Sequence, residues 1–180
     1  MNRPVLNKDG YRYNNKQIIM LIIPLMVEQL MVIVIGTVDT MFAAGAGEAA
    51  VSGVSLIDQM MILMIYFFSA LAAGGAVVVG QYLGRDDAVN VKKSASQLFL
   101  ITGIISLFVM AASYLLQDVL FTLLFGQVEM AVRNQAEIYF RFFIASIPFI
   151  AVYNAIAAIL RVFGNSYITM YTAALMNVIN

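Results

Sequence analysis

Two carboxylates interrupt the first long apolar stretch of this 180-residue chain. Glu28 lies in the middle of the stretch, and Asp39 lies at its end, eleven residues later. At about 100° per residue, eleven residues make a little over three helical turns, so a helix would carry both carboxylates on nearly the same face. Pro24, which bends helices, lies four residues before Glu28 on that face. Because ionisable groups inside membrane spans tend to mark ion paths or substrate sites, Glu28 and Asp39 are candidates for binding a proton or a cation.

Each acid also has a structural interpretation. Asp39 could lie in water at the end of the span and terminate the helix, since Gly45 and Gly47 follow closely. Glu28 is harder to explain in this way, because an ionised, unpaired carboxylate in mid-span is costly unless it becomes protonated. Asp58, at the start of the next apolar stretch, is predicted to lie at the interface with water.

Polar groups recur in the later apolar stretches. Asn154 follows Tyr153 in the middle of one stretch, and Asn177 and Asn180 lie in the last one. Buried amides in lipid usually form hydrogen bonds between helices. Together with an acid, they could equally coordinate a cation through oxygen ligands or relay a proton. Both interpretations stay open at this stage.

The elements that position these groups follow from composition. The chain is 62% hydrophobic and 11% charged, with a mean hydropathy of +0.89, whereas soluble domains are about one quarter charged. Its apolar runs are 17–38, 59–84, 94–117, 142–160 and 162–180. A bilayer core takes about 20 helical residues, so we predict an all-α integral membrane protein with about five transmembrane helices. Four of these are complete, and the fifth is cut off or barely complete.

The basic residues predict the orientation of the helices. Eight of the ten lie on one side of the predicted membrane: Arg3, Lys8, Arg12, Lys16, Arg85, Lys92, Lys93 and Arg161. The positive-inside rule makes this side cytoplasmic. We therefore expect a cytoplasmic segment at 1–16 and a multi-pass transmembrane region at 17–180. A cleavable signal peptide ending near 44–46 is a weaker interpretation, because the stretch is long and Pro24 and Glu28 interrupt it.

The connections between spans are short. Residues 84–88 combine a glycine with polar residues and predict a helix stop, after which Asp87 caps the next helix. Residues 118–137 mix apolar and charged side chains and predict an amphipathic segment at the membrane surface. In the second span, Ala72, Ala76, Gly80 and Gly84 recur every fourth residue, which favours close packing of two helices.

Several classes of protein are excluded by composition. The chain has no cysteine and no histidine, so disulfide scaffolds, thiolate or imidazole metal sites and His-based catalytic triads are excluded. Its formal net charge of zero argues against nucleic-acid binding. No nucleophile–base pair or phosphate loop is present, so we expect neither an enzyme nor a bound cofactor.

Several short segments resemble one known family, the multidrug and toxin extrusion (MATE) transporters of the MOP flippase superfamily. In chain order they are Ile23-Pro24-Leu25, Val38-Asp39-Thr40-Met41, Gly47-Glu48-Ala49-Ala50-Val51-Ser52, Val79-Gly80-Gln81-Tyr82-Leu83-Gly84-Arg85-Asp86 and Leu160-Arg161-Val162-Phe163-Gly164-Asn165-Ser166. None is a strict signature alone, but their order and spacing cover nearly the whole chain.

The resemblance implies an antiporter of two six-helix lobes that exports cationic or lipophilic drugs and metabolites in exchange for Na⁺ or H⁺. The chain matches the N-terminal lobe into its fifth helix, so it resembles a fragment whose remaining helices are missing. Asp39 matches the cation or proton site of the family, and Pro24 matches the proline that bends the first helix. Asn154 and Asn180 match supporting amides, with Na⁺ possible at Asp39 and Asn180, and Glu28 is a second acid or a gate. The expected location is the plasma membrane, with lipid and small cationic or lipophilic substrates as partners.

Two other functions remain as alternatives. A lipid-linked oligosaccharide flippase of the same superfamily would be expected to carry basic residues in its cavity for an anionic pyrophosphate, whereas the intramembrane charges here are acidic. A membrane assembly subunit that transports nothing is supported only by the short length and by the ridge of small residues.

Overall fold

The computed structural model describes residues 15–45, 47–126 and 129–179, and within these ranges the chain is helical apart from short turns. The helices are α1 (Asn15–Gly45), α2 (Glu48–Gly84), α3 (Ala88–Leu115), α4 (Gln117–Phe125), α5 (Met130–Val162) and α6 (Tyr167–Ile179). Four segments are long and apolar enough to cross a bilayer, namely Ile18–Phe42 within α1 and the whole of α2, α3 and α5. The shorter α6 is also apolar. The predicted all-α, multi-pass architecture is confirmed.

Tight connections make successive long helices run in opposite directions. We call the end at which α1 begins, which also holds the turns at 85–87 and 163–166, the near end of the bundle. The opposite end, which holds Gly47 and α4, is the far end. Residues 1–14, which include Arg3, Lys8 and Arg12 of the predicted cytoplasmic side, lie outside the described residues.

The starts of two helices differ most from the predicted runs. The second helix begins at Glu48 rather than near residue 59, and α5 begins at Met130 rather than near residue 142. The predicted runs stopped at charges, but the helices continue through them because these charges have partners. Arg133 and Glu137 form an ion pair one turn apart, and the hydroxyl of Tyr139 lies 3.5 Å from a carboxylate oxygen of Asp58. The predicted surface segment 118–137 is therefore divided, and its last two turns belong to α5.

The turn between α2 and α3 matches its prediction. Asp86 adopts a left-handed conformation with φ of 57°, and Asp87 then caps α3. The carboxylate of Asp87 accepts hydrogen bonds from the side-chain and backbone nitrogens of Asn90, at 2.6 and 3.1 Å. These bonds satisfy one of the free amides of the first helical turn. They also lower the pKa of Asp87 from its ordinary value of 3.8, the side-chain bond contributing most.

The core of the bundle is formed by α2, α3, α4 and α5. Its buried apolar residues are Ile57, Phe68, Phe121, Ala136, Phe140, Phe143, Ile144, Ile147 and Ala151, with Ile105, Val109 and Met110 of α3 packed against them. The ridge of small residues on α2 serves this packing, since Ala72 and Ala76 are buried against Ala158 and Val162 of α5. The helix-packing interpretation of the ridge is therefore confirmed.

Helix α1 stands beside this core and packs mainly against α6, with a smaller contact to α2. Asn177 of α6 joins the two helices, because its side-chain nitrogen donates to the carbonyl of Met31 at 3.0 Å. Large apolar side chains remain exposed on the outside, including Phe108 and Val178 at 74% and 84%. Such an apolar exterior is what lipid and further helices would cover.

Replacing Gly53 of α2 with alanine should destabilise the bundle by about 1–3 kcal/mol, because it overpacks a rigid contact. The added Cβ would lie 2.9 Å from the backbone nitrogen of Ala136 and 3.1 Å from the carbonyl oxygen of Val132, and backbone atoms cannot move aside. Thermal unfolding of the detergent-solubilised protein measures the effect. Gly74→Ala on the same helix is the matched control, because its Cβ would meet nothing within 4 Å. Equal unfolding midpoints for the two variants would contradict the packing argument.

Acidification should remove the stabilisation that the Asp87 cap gives to α3. The pKa of Asp87 is lowered in the folded protein, so the cap contributes fully above pH 3.8 and is lost as the pH falls through the lower folded value. Hydrogen exchange of the first-turn amides of α3 across this range measures the loss. Asp87→Asn keeps a capping oxygen without a titrating group and should show no such step. A step of equal size in that variant would assign the titration to another group.

Candidate functional site

The buried carboxylate of Glu28 is held by side chains from two other helices. A guanidinium nitrogen, Nη2, of Arg161 donates to Oε1 at 3.0 Å, and the hydroxyl of Tyr153 donates to the same oxygen at 3.2 Å. The hydroxyl of Thr169 lies 2.8 Å from the other oxygen, Oε2. Glu28 itself is 3% exposed. The charge that the sequence placed in mid-span is therefore neutralised by an ion pair and satisfied by two hydroxyl groups.

Local structure brings these groups together at the near end. Arg161 belongs to the last turn of α5, where the partial negative charge of the helix terminus also favours a cation. The turn at 163–166 then reverses the chain, and Gly164 adopts φ of 76°, a left-handed conformation that suits glycine. This reversal places Thr169, in the first turn of α6, beside the end of α5. Pro24, which is fully buried, lies one helical turn before Glu28.

The contact of Arg161 with Glu28 is not a bidentate fork. Only Nη2 reaches the carboxylate, and Nε is buried without a hydrogen-bond partner among the described residues. The two charges also differ in exposure, since the side chain of Arg161 is 35% exposed and that of Glu28 is 4% exposed. The pair is thus open to water on the arginine side only.

A second group of polar side chains lies toward the far end. Asp39 of α1 is close enough to interact electrostatically with Asp58 of α2 and with Tyr139 of α5. Asp58 lies ten residues inside α2 and is partly buried, and its predicted place at the water interface stays a prediction. Eleven residues of helix separate Asp39 from Glu28, or about 16 Å at 1.5 Å per residue. The two acids of α1 therefore belong to separate groups of side chains.

Asn154 lies nearer to Glu28 than to Asp39 along the bundle. It follows Tyr153, the partner of Glu28, and it is fifteen residues from Tyr139, or about 22 Å along α5. Its side-chain nitrogen donates to the carbonyl of Ile150 at 2.9 Å within the same helix. A cation site shared by Asn154 and Asp39 stays a prediction. Asn180, the other predicted amide, lies outside the described residues.

An open groove runs along the far half of α1, and the residues lining it are Ile33, Gly36, Thr37, Thr40, Met41 and Ala44. The hydroxyls of Thr37 and Thr40 donate to carbonyls one turn earlier in the same helix. The groove therefore offers a largely apolar surface. Among the residues that the structure describes, no three acidic side chains come together in a metal-binding group.

The family of the chain is decided by comparison with known proteins. The MatE family model matches residues 24–180. The chain belongs to the MatE family. Its fold is that of solved MATE and MOP superfamily transporters, and membership supports membrane transport in general rather than catalysis. A search of curated proteins found no significant match.

Two solved structures show how much of a MATE transporter this chain covers. One is the outward-facing conformation of a multidrug resistance MATE family transporter of the MOP superfamily. The other is a MOP superfamily transporter from Pyrococcus furiosus, described as having a binding pocket of reverse polarity that suggests a different function. Each is 20% identical with a TM-score of 0.83, and the alignment covers 90% of this chain. It covers only 36% of the first of those chains and 35% of the second, so this MATE chain spans about a third of their length.

Sequence reasoning identified Glu28 but missed its partners. Arg161 was counted as a basic residue that sets orientation and as part of the family segment 160–166, Tyr153 was noted only beside Asn154, and Thr169 was not singled out. The sequence did carry one signal for these partners. A single acid inside a membrane span calls for a base elsewhere in the apolar region. Periodicity does not say which helices touch, so the pairing of α1 with the end of α5 could not be read from it.

Replacing Arg161 with glutamine should destabilise this MATE chain by about 3–5 kcal/mol, because the change leaves Glu28 buried and uncompensated. Unfolding in detergent, followed by circular dichroism, measures the loss. Arg133→Gln breaks the partly exposed pair with Glu137 on the same helix and should cost at most about 1 kcal/mol. Adding Glu28→Gln to Arg161→Gln should recover much of the loss, because no buried charge then remains. A double variant as unstable as Arg161→Gln alone would show that the charge of Glu28 is not the cause.

Proposed function

We propose that this chain is the N-terminal part of a secondary antiporter of the plasma membrane. The transporter exports cationic or lipophilic compounds in exchange for H⁺ or Na⁺, and the N-terminus of the chain lies in the cytoplasm. Family membership supports transport, and the predicted orientation follows from the basic residues that cluster on one side. The antiport proposal rests on two carboxylates from different helices, Asp39 and Asp58, that lie within the range of electrostatic interaction.

Two like charges close together favour binding of a proton or a cation, because neutralising one relieves their repulsion. Exchange then follows from competition, since an inward-moving H⁺ or Na⁺ and an outward-moving cationic compound cannot both occupy the same carboxylate. Asp39 is the coupling acid in this proposal, and Asn154 and Asn180 supply further oxygen ligands.

Pro24 gives the binding event a mechanical consequence. A proline inside a helix removes one backbone hydrogen bond and makes bending easier at that position. Neutralisation of Asp39 changes the interactions that hold α1 against α2 and α5, and α1 bends at Pro24 in response. This bending narrows the space beside α1 and expels the bound compound.

The alternative of an oligosaccharide flippase gains no support from the described residues. A flippase would need a basic side chain available to a pyrophosphate. Arg161 is the basic group that the structure places against a buried acid, and Glu28 neutralises it. The acidic pair Asp39 and Asp58 would instead repel an anionic group.

Asp39→Asn in the full-length transporter should lower the stimulation of transport by an ion gradient about 5- to 150-fold, the usual range for losing a coupling interaction. Proteoliposomes loaded with a fluorescent organic cation, with an imposed Na⁺ or proton gradient, measure this. Asp118→Asn is the matched control, because Asp118 is exposed on α4 and makes the same change of charge. Unchanged gradient-driven transport in Asp39→Asn would remove Asp39 from the coupling role.

A further inference from the structure

The short helix α4 has apolar side chains on two opposite sides. Phe121 is 2% exposed, and its ring meets that of Phe140 edge to face, with the ring centroids 5.1 Å apart. Val119 and Leu123 are each two residues from Phe121, which places both about 160° away from it around the helix. Their side chains are 52% and 76% exposed. The helix therefore has one apolar side fixed in the core and another that faces outward.

The other two sides of α4 differ in polarity. Asp118 and Thr122 are exposed, and the hydroxyl of Thr122 donates to the carbonyl of Asp118 at 2.8 Å. Leu120 is two residues from each of them, or about 160° around the helix, and it packs against the core. The polar pair thus forms an edge between the buried side and the outward apolar side. This distribution is typical of a helix at the rim of a membrane bundle, with water along one edge.

The outer side of α3 leads up to α4 and is apolar over most of its length. Near the start of α3, the exposed polar side chains are Lys92, Lys93, Ser96 and Gln97. From 99 to 115, every exposed side chain is apolar apart from the hydroxyl of Tyr114. A surface of this kind is stable against lipid acyl chains and unstable in water.

The length of this apolar side matches a bilayer. Twenty residues separate Gln97 from Gln117, where α4 begins, or about 30 Å at 1.5 Å per residue. The hydrocarbon core of a bilayer is also about 30 Å thick. If the exposed polar residues of α3 lie at one boundary of the hydrocarbon, α4 lies at the other. The span of α3 thus places α4 at a membrane interface independently of the polarity of α4 itself.

Lipid suits the outward side of α4 better than another helix does. Helices that pack closely in membranes do so through small residues, as Ala72 and Ala76 of α2 do against α5. The most exposed side chains along the outer sides of α3 and α4 are large: Ile104, Leu107, Phe108, Leu115, Val119 and Leu123. Acyl chains adapt to such an irregular surface, because they are flexible.

We propose that α4 is an interfacial anchor whose outward side docks on the acyl chains of the leaflet at the far end. Val119 and Leu123 contact the acyl chains near the boundary of the hydrocarbon, and Asp118 and Thr122 face the headgroups and water. Phe121 joins this anchor to the core of the bundle. Contact with lipid therefore sets the depth at which the far end lies in the bilayer.

Spin labelling tests the anchor in the full-length transporter in lipid bilayers, with any cysteines outside the 180 residues replaced. This chain has none, so Leu123→Cys and Asp118→Cys each provide a single site for a nitroxide. Collisions of the nitroxide with oxygen, which concentrates in hydrocarbon, are compared with collisions with a water-soluble nickel complex. Phe108→Cys, at a 74% exposed position of α3, is the reference for contact with lipid. All three positions are exposed, so the labels leave the core intact.

The ratio of oxygen to nickel collisions should be about tenfold higher for Leu123→Cys than for Asp118→Cys. Moving a polar complex into hydrocarbon costs roughly 1.4 kcal/mol or more, and that amount is a factor of ten in concentration. Val119→Cys, one turn earlier on the outward side, should behave as Leu123→Cys does.

Three results would overturn the proposal. Low collision rates with both reagents at Leu123→Cys would show that another helix or a second copy of the chain covers this side. Nickel collisions as frequent at Leu123→Cys as at Asp118→Cys would place α4 in water. A ratio at Asp118→Cys as high as that at Phe108→Cys would place the polar edge in lipid. The measurement needs neither a substrate nor an ion gradient, so its failure leaves the antiport proposal standing, and failure of antiport leaves the anchor standing.

Discussion

Much of this structure depends on the burial of one carboxylate opposite one guanidinium. Glu28 lies in a segment that must cross the membrane, where an unpaired charge is unstable, so the chain must bring a positive group to it. Arg161 meets this need from the last turn of α5, at 3.0 Å. A polar interaction thus organises the near end of a bundle whose other contacts are mostly apolar.

Apolar packing and polar contacts hold different parts of the bundle together. Helices α2, α4 and α5 interlock through large buried side chains such as Phe68, Phe121 and Phe140, and α3 packs against them. Among the described residues, helix α1 has no share in these clusters, and it packs against α6, makes a smaller contact with α2 and carries the Glu28 network. Contacts that depend on charge can be switched by a proton or an ion, whereas close apolar packing cannot.

The two acids of α1 have different surroundings although they share a helical face. Glu28 is neutralised by a base at the near end, and Asp39 lies close to another acid, Asp58, at the far end. The first arrangement stabilises a fixed position of the helix, and the second favours uptake of a positive charge. In a transporter that exchanges cations, such a division would separate the carboxylate that binds the cation, Asp39, from the carboxylate that fixes the position of α1, Glu28.

The sequence alone determined the class of this protein, because long apolar runs and few charges leave a helical membrane protein as the stable solution. It also predicted the cap at Asp87, the packing role of Ala72 and Ala76, and the family, since these depend on local spacing and residue type. It misplaced the starts of α2 and α5, because it treated Asp58, Arg133 and Glu137 as breaks although partners satisfy them. Only the tertiary structure decided that Glu28 pairs with Arg161 and Thr169, and that Asn154 lies at the level of Glu28. These contacts join residues more than 120 positions apart in the chain, and helical periodicity, which fixes the faces of single helices, carries no information about which faces meet.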